Sequence, residues 1–294
     1  MSDDTPYVPD QSILELYDGY VHGAFDRREF FRRATAMTAG TVTSAAIAAA
    51  VMPKYALAAQ VEPDDKRIAS TILPYDSPKG AGKMSGLLAH PAGDGPWPGV
   101  VVIHENRGLN PYIEDVARRL AVAGFIALAP DALFPVGGYP GNDDDGRTRQ
   151  RERDRKEMFE DFVAAAELLM THPQCTGRVG SVGFCYGGGV SNALAVRLPT
   201  LGAASCYYGR QVPAEDVPAI KAPLQFHLGE LDKRINAGWP ALREALDAHG
   251  NSYESYIYDN ANHGFHNDTT PRFDADAAQE SWQRTLRFFN AHLI

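Results

Sequence analysis

The chain has 294 residues, 44% of them hydrophobic, which suits one large α/β domain with a generous core plus an appendage. Its net charge of -9 argues against a nucleic-acid-binding protein, which would show a basic face, and indicates an ordinary soluble enzyme. The cysteines are too few, and odd in number, for a disulfide framework: Cys175, Cys185 and Cys206.

Residues 1–62 differ from the rest and are predicted to form an N-terminal extension. Within it, residues 12–31 have an amphipathic pattern that predicts one helix. The pair Arg27-Arg28, followed by an uncharged run, resembles a twin-arginine export signal, although Asp26 stands where Ser or Thr is usual. The alternative is a helical arm that packs on the domain or on a second subunit, which would give a homodimer.

The two interpretations of the extension predict different locations. The protein is periplasmic if the segment is a signal, and cytoplasmic otherwise. The uncharged residues 34–52 are rich in Ala, Thr and Gly, and they are too weakly apolar to predict a stable membrane span.

Residues 63–294 alternate between short apolar runs and amphipathic segments. The apolar runs predict strands at residues 71–75, 84–90, 98–104, 125–129, 179–184, 203–208, 224–228 and 253–258. Helices are predicted from Asn110-Pro111 to Gly124, over residues 153–171, after Cys185, over residues 237–249 and at the C-terminus. This alternation predicts an α/β fold: a mostly parallel, doubly wound sheet flanked by helices.

Residues 133–156 are polar, rich in turn-forming residues and then dense in arginine. The favoured interpretation is a solvated loop with an exposed helix start. The alternative is a flap over the site that provides an arginine to an anionic substrate.

The sequence G-F-C-Y-G around Cys185 follows a predicted buried strand and precedes a helix. It is the thiol form of the nucleophile elbow, in which glycines leave room for a strained turn. Cys185 would lie at the N-terminus of the helix, where the helix dipole favours a thiolate. The alternative is a small buried cysteine in a glycine-rich turn.

An acyl-transfer triad on such a sheet has the chain order nucleophile, acid, histidine. Asp232 and His263 each follow a predicted strand, so both are expected beyond the carboxyl ends of the strands, where ligands bind. Glu230 and Asp259 are alternative acids.

Two backbone amides are candidates for an oxyanion hole: that of Tyr186, directly after Cys185, and that of Asn106, after an apolar strand. Glu105 is unusual at this edge. Its carboxylate either pairs with Arg107 at the surface or disfavours the thiolate, and so holds the thiol protonated until substrate displaces it.

No metal or cofactor site is predicted. His104-Glu105 begins like the motif H-E-x-x-H, but Gly108 occupies the second histidine position. His263 and His266 have suitable spacing but no third ligand near them in the sequence.

Four motifs together resemble the dienelactone hydrolase family of the α/β-hydrolases: V-I-H-E-x-x-G-L-N, G-F-C-x-G-G, L-G-x-x-D and N-H-G-F. The resemblance covers residues 64–294 and implies an α/β-hydrolase fold that hydrolyses carboxylic esters or lactones through a thioester. By this resemblance, the triad is Cys185, Asp232 and His263. The glutamate that interacts with the thiol is Glu105, and the oxyanion-hole amides are those of Asn106 and Tyr186.

One position departs from the family pattern. Members that act on dienelactone carry an arginine four residues after the histidine, and Asn267 stands there. Dienelactone itself is therefore not the expected substrate, and the long extension indicates a separate branch. Arg107 and Arg210 are candidates for the missing positive charge, and Tyr208 is a further candidate for the substrate site.

A thiol nucleophile restricts the substrate, because a thiolate leaves a tetrahedral intermediate more readily than an alkoxide or an amine. Enol lactones and activated esters fit, and peptides do not. Two other classes of function stay open: a non-catalytic protein of the same fold that binds partners through its extension, and a redox-sensing thiol, which would need a resolving cysteine.

Overall fold

The computed structural model describes residues 6–294, apart from the side chains of residues 57 and 58. Within these residues, eight strands form one sheet. The strands are β1 (Ile68–Ser77), β2 (Gly82–Pro91), β3 (Trp97–Ile103), β4 (Ile126–Pro130), β5 (Cys175–Phe184), β6 (Ala203–Tyr207), β7 (Leu224–Gly229) and β8 (Tyr253–Tyr258). The α-helices are α1 (Gln11–Val21), α2 (Arg27–Met37), α3 (Ser44–Val51), α4 (Tyr55–Ala58), α5 (Pro111–Val122), α6 (Asp143–Glu152), α7 (Arg155–Thr171), α8 (Tyr186–Arg197), α9 (Lys233–Asn236), α10 (Trp239–His249) and α11 (Ala275–Leu293).

The strands have the order β1-β2-β4-β3-β5-β6-β7-β8 across the sheet. β2 runs antiparallel to β1 and to β4, and the pairs from β4 through β3 to β8 are parallel. This arrangement confirms the predicted mostly parallel sheet. The carboxyl ends of β3, β5, β7 and β8 therefore meet at one edge, and the loops that follow them share one site.

Both faces of the sheet are covered. In β3, Val101 and Ile103 belong to one buried cluster, and Val100 and Val102 belong to the other, because successive side chains of a strand point to opposite faces. Helices α7, α8 and α10 contribute to the first cluster, and α5 and α11 contribute to the second. The continuous apolar run of β3 is thus explained by burial on both sides.

Helix boundaries follow the capping residues. α5 begins after Asn110, whose side chain accepts a hydrogen bond from the Ile113 amide at 3.1 Å, as predicted. α7 begins two residues later than predicted because Asp154 caps it. α10 also begins two residues later than predicted, because the short α9 and Gly238 precede it.

The prediction of one helix over residues 12–31 is wrong. The structure has α1 and α2, separated by a turn in which Gly23 has a φ of 81°. Asp26 starts the second helix by accepting a hydrogen bond from the Glu29 amide at 2.8 Å. Within residues 6–294, no helix is long and apolar enough to cross a membrane. Export and dimerisation through the extension stay predictions.

Helices α1, α2 and α3 have a buried cluster of their own, built around Tyr17, Phe30 and Ile47. The cluster is attached to the large domain by polar contacts. Asn106 donates through Nδ2 to the Val21 carbonyl at 2.8 Å, at the end of α1. The N-terminal helices therefore lie at the carboxyl edge of the sheet.

The prediction of an exposed loop over residues 133–156 is also wrong in part. Asp143 and Arg147 of α6 are buried, because each has a partner that compensates its charge. Asp143 accepts a hydrogen bond from Arg107 at 2.5 Å and one from Tyr55 at 2.6 Å. Arg147 pairs with Asp144 and lies over the ring of Tyr20. These contacts fix α6 against the extension.

The corner between β5 and α8 requires glycine at close contacts. A Cβ on Gly187 would lie 2.2 Å from the Ile103 carbonyl oxygen, and one on Gly188 would lie 2.5 Å from the Tyr207 carbonyl oxygen. A Cβ on Gly189 would lie 3.4 Å from its nearest neighbour, an ordinary contact. Helix α8 can therefore approach β3 and β6 closely only because Gly187 and Gly188 lack a side chain.

We expect Gly188→Ala to lower the free energy of unfolding by about 1–3 kcal/mol, because the added methyl group overlaps backbone that cannot move freely. Gly189→Ala is the matched control and should be neutral or stabilising, since alanine favours helix by up to about 1 kcal/mol. Urea unfolding of both variants measures this. Equal stabilities of the two variants would contradict the close packing described for the corner.

We expect Arg107→Met to lower the free energy of unfolding by about 3–5 kcal/mol, because it removes the positive charge that compensates two buried carboxylates, Glu105 and Asp143. The control is Arg32→Met, which breaks an exposed pair with Glu29 and should change stability very little. Chemical denaturation at neutral pH compares them. A small loss for Arg107→Met would show that the buried carboxylates have other compensation.

Candidate active site

Cys185 lies at the corner between β5 and α8 and has a φ of 56°, a backbone conformation that few residues other than glycine adopt. It precedes the first residue of α8, and its side chain is half-buried. It lines a cleft of about 700 Å³ together with His22 and His263. The strained corner thus presents the thiol to the cleft, as the elbow motif predicts.

Asp232 and His263 form a buried pair beside the thiol. His263 Nδ1 donates to Asp232 Oδ2 at 2.5 Å, and its Nε2 has no hydrogen-bond partner within residues 6–294. Burial lowers the pKa of His263, but the charges of Asp232 and of the Cys185 thiolate outweigh it and raise the pKa to about 10. The alternative acid Glu230 is exposed and accepts instead from the Asn260 amide at 2.8 Å.

A second histidine, which was not among the predicted site residues, contacts the thiol. His22 follows α1, and its Nε2 lies 3.4 Å from Cys185 Sγ. The sulfur and one ring nitrogen each of His22 and His263 all lie within 4.8 Å of one another. The ring centroids of the two histidines are 4.8 Å apart, edge to face. The extension therefore contributes a side chain to the site.

These neighbours favour the thiolate. Burial raises the pKa of Cys185, but the charges of His263 and His22, together with the contact from His22 Nε2, outweigh it and lower the pKa well below the ordinary value. The position at a helix N-terminus acts in the same direction. The expectation that Glu105 holds the thiol protonated is therefore not supported by the arrangement.

Glu105 is buried and already paired. Arg107 Nη2 lies 2.8 Å from its Oε2, and Asn267 Nδ2 donates to the same oxygen at 2.9 Å. The predicted pairing with Arg107 exists, but in the interior and not at the surface. Asn267, which stands in place of the family arginine, thus stabilises this carboxylate.

Both residues predicted to form the oxyanion hole line the same cleft as the thiol. Tyr186 is the first residue of α8, so its amide has no acceptor within the helix. Asn106 also lines the cleft, and its side chain is held by the end of α1. Both amides belong to the edge at which the thiol lies.

The three candidates for substrate binding have different positions. Arg107 is 2% exposed and does not line the cleft, because Glu105 and Asp143 hold it in the interior. This corrects its prediction as a substrate-binding residue. Arg210 is exposed and lines the cleft. Tyr208 is buried at the base of the cleft, with its ring centroid 5.0 Å from that of His263.

The cleft is strongly cationic. Of the described residues that line it, none is acidic, whereas four are arginines from three helices and one loop: Arg151, Arg155, Arg210 and Arg234. In a chain with a net charge of -9, this concentration of positive charge creates a local field that attracts anions. The flap interpretation of residues 133–156 therefore has structural support, since α6 and α7 provide two of the arginines.

Two imidazoles and a thiolate are also ligand types that zinc accepts. However, the guanidinium of Arg234 lies 3.1 Å from His22 Nε2 and 3.3 Å from His263 Nδ1. A positive charge so close to the ligand atoms disfavours a bound cation.

Asp18 and His22 are four residues apart, which places them on one face of a helix, and this spacing is the one weak sign of the second histidine in the sequence. His22 Nδ1 lies 2.8 Å from the Asp18 carbonyl oxygen and 3.3 Å from its carboxylate. Nothing in the spacing shows that this helix packs over the site.

Comparisons with known proteins agree with the geometry. Residues 84–293 match the model of the Dienelactone hydrolase family, and residues 9–40 match a separate model described as YqhI-like. The second match covers α1 and α2, and it includes His22.

Individual proteins are similar over different parts of the chain. “Putative hydrolase fragment YghX” of Escherichia coli is 57% identical over 38% of this chain and 97% of its own length. “Probable 2-oxo-3-(5-oxofuran-2-ylidene)propanoate lactonase” of Bradyrhizobium sp is 33% identical over 70% of this chain and 88% of its own.

A solved structure is also similar. The crystal structure titled as a “Putative Dienelactone Hydrolase” from Klebsiella pneumoniae is 26% identical, with a TM-score of 0.66, and the match covers 76% of this chain and 99% of that one. Because the family model spans most of the large domain and more than half of the chain, the protein belongs to the dienelactone hydrolase family and is a hydrolase of ester or lactone bonds.

Proposed function

We propose that the protein is a cysteine hydrolase of carboxylic esters or lactones, with Cys185 as nucleophile and Asp232 and His263 as its acid and base. The observation that carries the proposal is the Asp232–His263 pair, whose ring has a nitrogen within 4.8 Å of Cys185 Sγ at the wall of the cleft. Cys185, Asp232 and His263 follow one another along the chain in the order nucleophile, acid, histidine that is typical of acyl-transfer triads on this kind of sheet.

In the first half of the reaction, the Cys185 thiolate attacks the carbonyl carbon of the substrate. The oxyanion that forms accepts hydrogen bonds from the amides of Tyr186 and Asn106. When the intermediate collapses, the C–O bond breaks and the leaving oxygen takes the proton from His263 Nε2. The acyl group is then held on the sulfur as a thioester.

In the second half, a water molecule attacks the thioester and gives a proton to the now neutral His263. The C–S bond breaks, the carboxylic acid leaves, and the thiolate and the imidazolium are restored. Asp232 keeps Nδ1 protonated throughout, so that Nε2 faces the reaction. The interior pair of Glu105 and Arg107 takes no part in these steps.

The arginines of the cleft indicate an anionic substrate. A carboxylate that lies near Arg155 or Arg210 has no acidic side chain of the described cleft lining to repel it. The name of the Bradyrhizobium relative agrees, since a lactone that carries a propanoate group is an anion. We propose an activated ester or enol lactone with a carboxylate.

We expect Cys185→Ala to reduce hydrolysis of an activated aryl ester at least about 10³-fold, because the nucleophile is lost while the fold is kept. Cys175→Ala is the matched control: this thiol lies at the start of β5, away from the cleft, and its removal should leave the rate unchanged. Initial rates on a panel of lactones and aryl esters measure both. Full activity of Cys185→Ala would refute the assignment, and no turnover by the wild type would favour a binding protein.

We expect Arg155→Gln and Arg210→Gln to lower kcat/KM roughly tenfold or more for an aryl ester with a terminal carboxylate, since hydrogen bonds to charged groups contribute about 1.5–3 kcal/mol. The same variants should hydrolyse a neutral aryl ester of equal length at the wild-type rate. Arg243→Gln on α10 is the control. Equal losses with both esters, or a wild-type preference for the neutral one, would contradict an anionic substrate.

A further inference from the structure

We infer that Asp18 and His22 form a second carboxylate–imidazole pair that acts on Cys185, so that the N-terminal extension completes the active site. The inference rests on the proposed function and extends it, because it assigns a reacting group to a segment outside the hydrolase domain. Its basis is the contact of 3.4 Å between His22 Nε2 and Cys185 Sγ.

Both histidines are held through Nδ1, and in His22 the other ring nitrogen, Nε2, lies against the sulfur. His263 Nδ1 donates to Asp232, and His22 Nδ1 donates to the Asp18 carbonyl oxygen at 2.8 Å, with the Asp18 carboxylate 3.3 Å away. A ring that is protonated at Nδ1 carries its lone pair on Nε2 when it is neutral. Each ring can therefore accept the thiol proton at Nε2.

The second pair is fixed in place. Arg272 Nη1 donates to Asp18 Oδ1 at 2.8 Å and is itself 3% exposed. Burial raises the pKa of Asp18, but the bond to His22 and the charges of His263 and Arg272 outweigh it and lower the pKa well below the usual range. Asp18 is therefore ionised, as an acid that orients a catalytic imidazole must be.

The helix that carries the pair is anchored beside the site. Gln11, at its start, exchanges two hydrogen bonds with Asn262, the residue before His263, at 2.8 and 3.1 Å. Val21, at its end, is held by Asn106. His22 is thus held from both ends of α1 by residues next to the predicted triad and oxyanion hole.

Charged groups from each neighbouring element act on His22. Asp18 of α1 and the thiolate of Cys185 favour its protonated form, whereas His263 from the loop after β8 and Arg234 of α9 oppose it. Arg151 of α6 lies beside the adjacent Gly23. Burial also lowers the pKa of His22, but the thiolate and Asp18 outweigh it and raise the pKa.

With two imidazoles at the thiol, the two proton transfers of the reaction can be carried out by different rings. The thiol gives its proton to one Nε2, and the resulting imidazolium later protonates the leaving oxygen. Both imidazoles are then neutral, so His22 can take the proton from the attacking water in place of His263 as the C–S bond breaks. The electron pair of that bond returns to sulfur, so the cycle balances with no further reactant.

The test is the pH dependence of Cys185 alkylation by iodoacetamide, a neutral reagent that the arginines do not attract, with the labelled residue located by peptide mass. Substrate is not needed, so the thiol is measured apart from turnover. The variants are His22→Gln and Asp18→Asn, and the control is His249→Gln, an exposed histidine at the end of α10.

For the wild type and the control, we expect the rate of alkylation to rise with pH around a midpoint that lies well below the pKa of an ordinary thiol. His22→Gln should raise the midpoint by about one pH unit or more, because the thiol loses one of the two imidazoles that can take its proton and hold the resulting positive charge beside the sulfur, and such a charge shifts a neighbouring pKa by about 1–3 units. Asp18→Asn should shift it in the same direction by less. Hydrolysis by His22→Gln should fall roughly tenfold or more.

An unchanged midpoint in His22→Gln would overturn the second pair while leaving the nucleophile assignment intact. The proposed function fails separately, if Cys185→Ala still hydrolyses esters. An unchanged far-UV spectrum of Asp18→Asn would show that α1 is still folded, so a shift in that variant reports the lost charge.

Discussion

The proposed site depends on how its surroundings compensate the negative charge of a Cys185 thiolate. A charge in a half-buried position is costly unless donors and opposite charges surround it. Here the helix N-terminus of α8 and two imidazoles supply that environment. Each imidazole is backed by a carboxylate, and Arg272 in turn pairs with Asp18. The sulfur is thus surrounded by imidazoles, the imidazoles by carboxylates, and the Asp18 carboxylate by Arg272, so that each charge lies next to a group of opposite charge.

The fold supplies this alternation through one edge of the sheet. The carboxyl ends of β5, β7 and β8 bring the thiol, Asp232 and His263 together, although Cys185 and His263 are 78 positions apart in the sequence. The N-terminal extension packs against the same edge of the sheet and contributes His22. This segment matches a family model of its own over residues 9–40.

Much of this arrangement follows from local sequence. Apolar runs and caps such as Asn110 predict the strands and α5, and the strand ends place Cys185, Asp232 and His263 on one edge. The rest depends on long-range packing. The apolar face of α1 predicts burial but not the surface that covers it, so the position of His22 was not foreseen. Likewise, the charged residues of α6 look solvated in the sequence, because burial of Asp143 depends on Arg107, 36 residues away.

The most direct measurement is the location of the acyl group during turnover of a slow activated ester. After a rapid acid quench, digestion and mass spectrometry should find the acyl mass on the peptide that contains Cys185, bound as a thioester that hydroxylamine removes. An acyl group on another side chain, with Cys185 unmodified while product forms, would contradict the account.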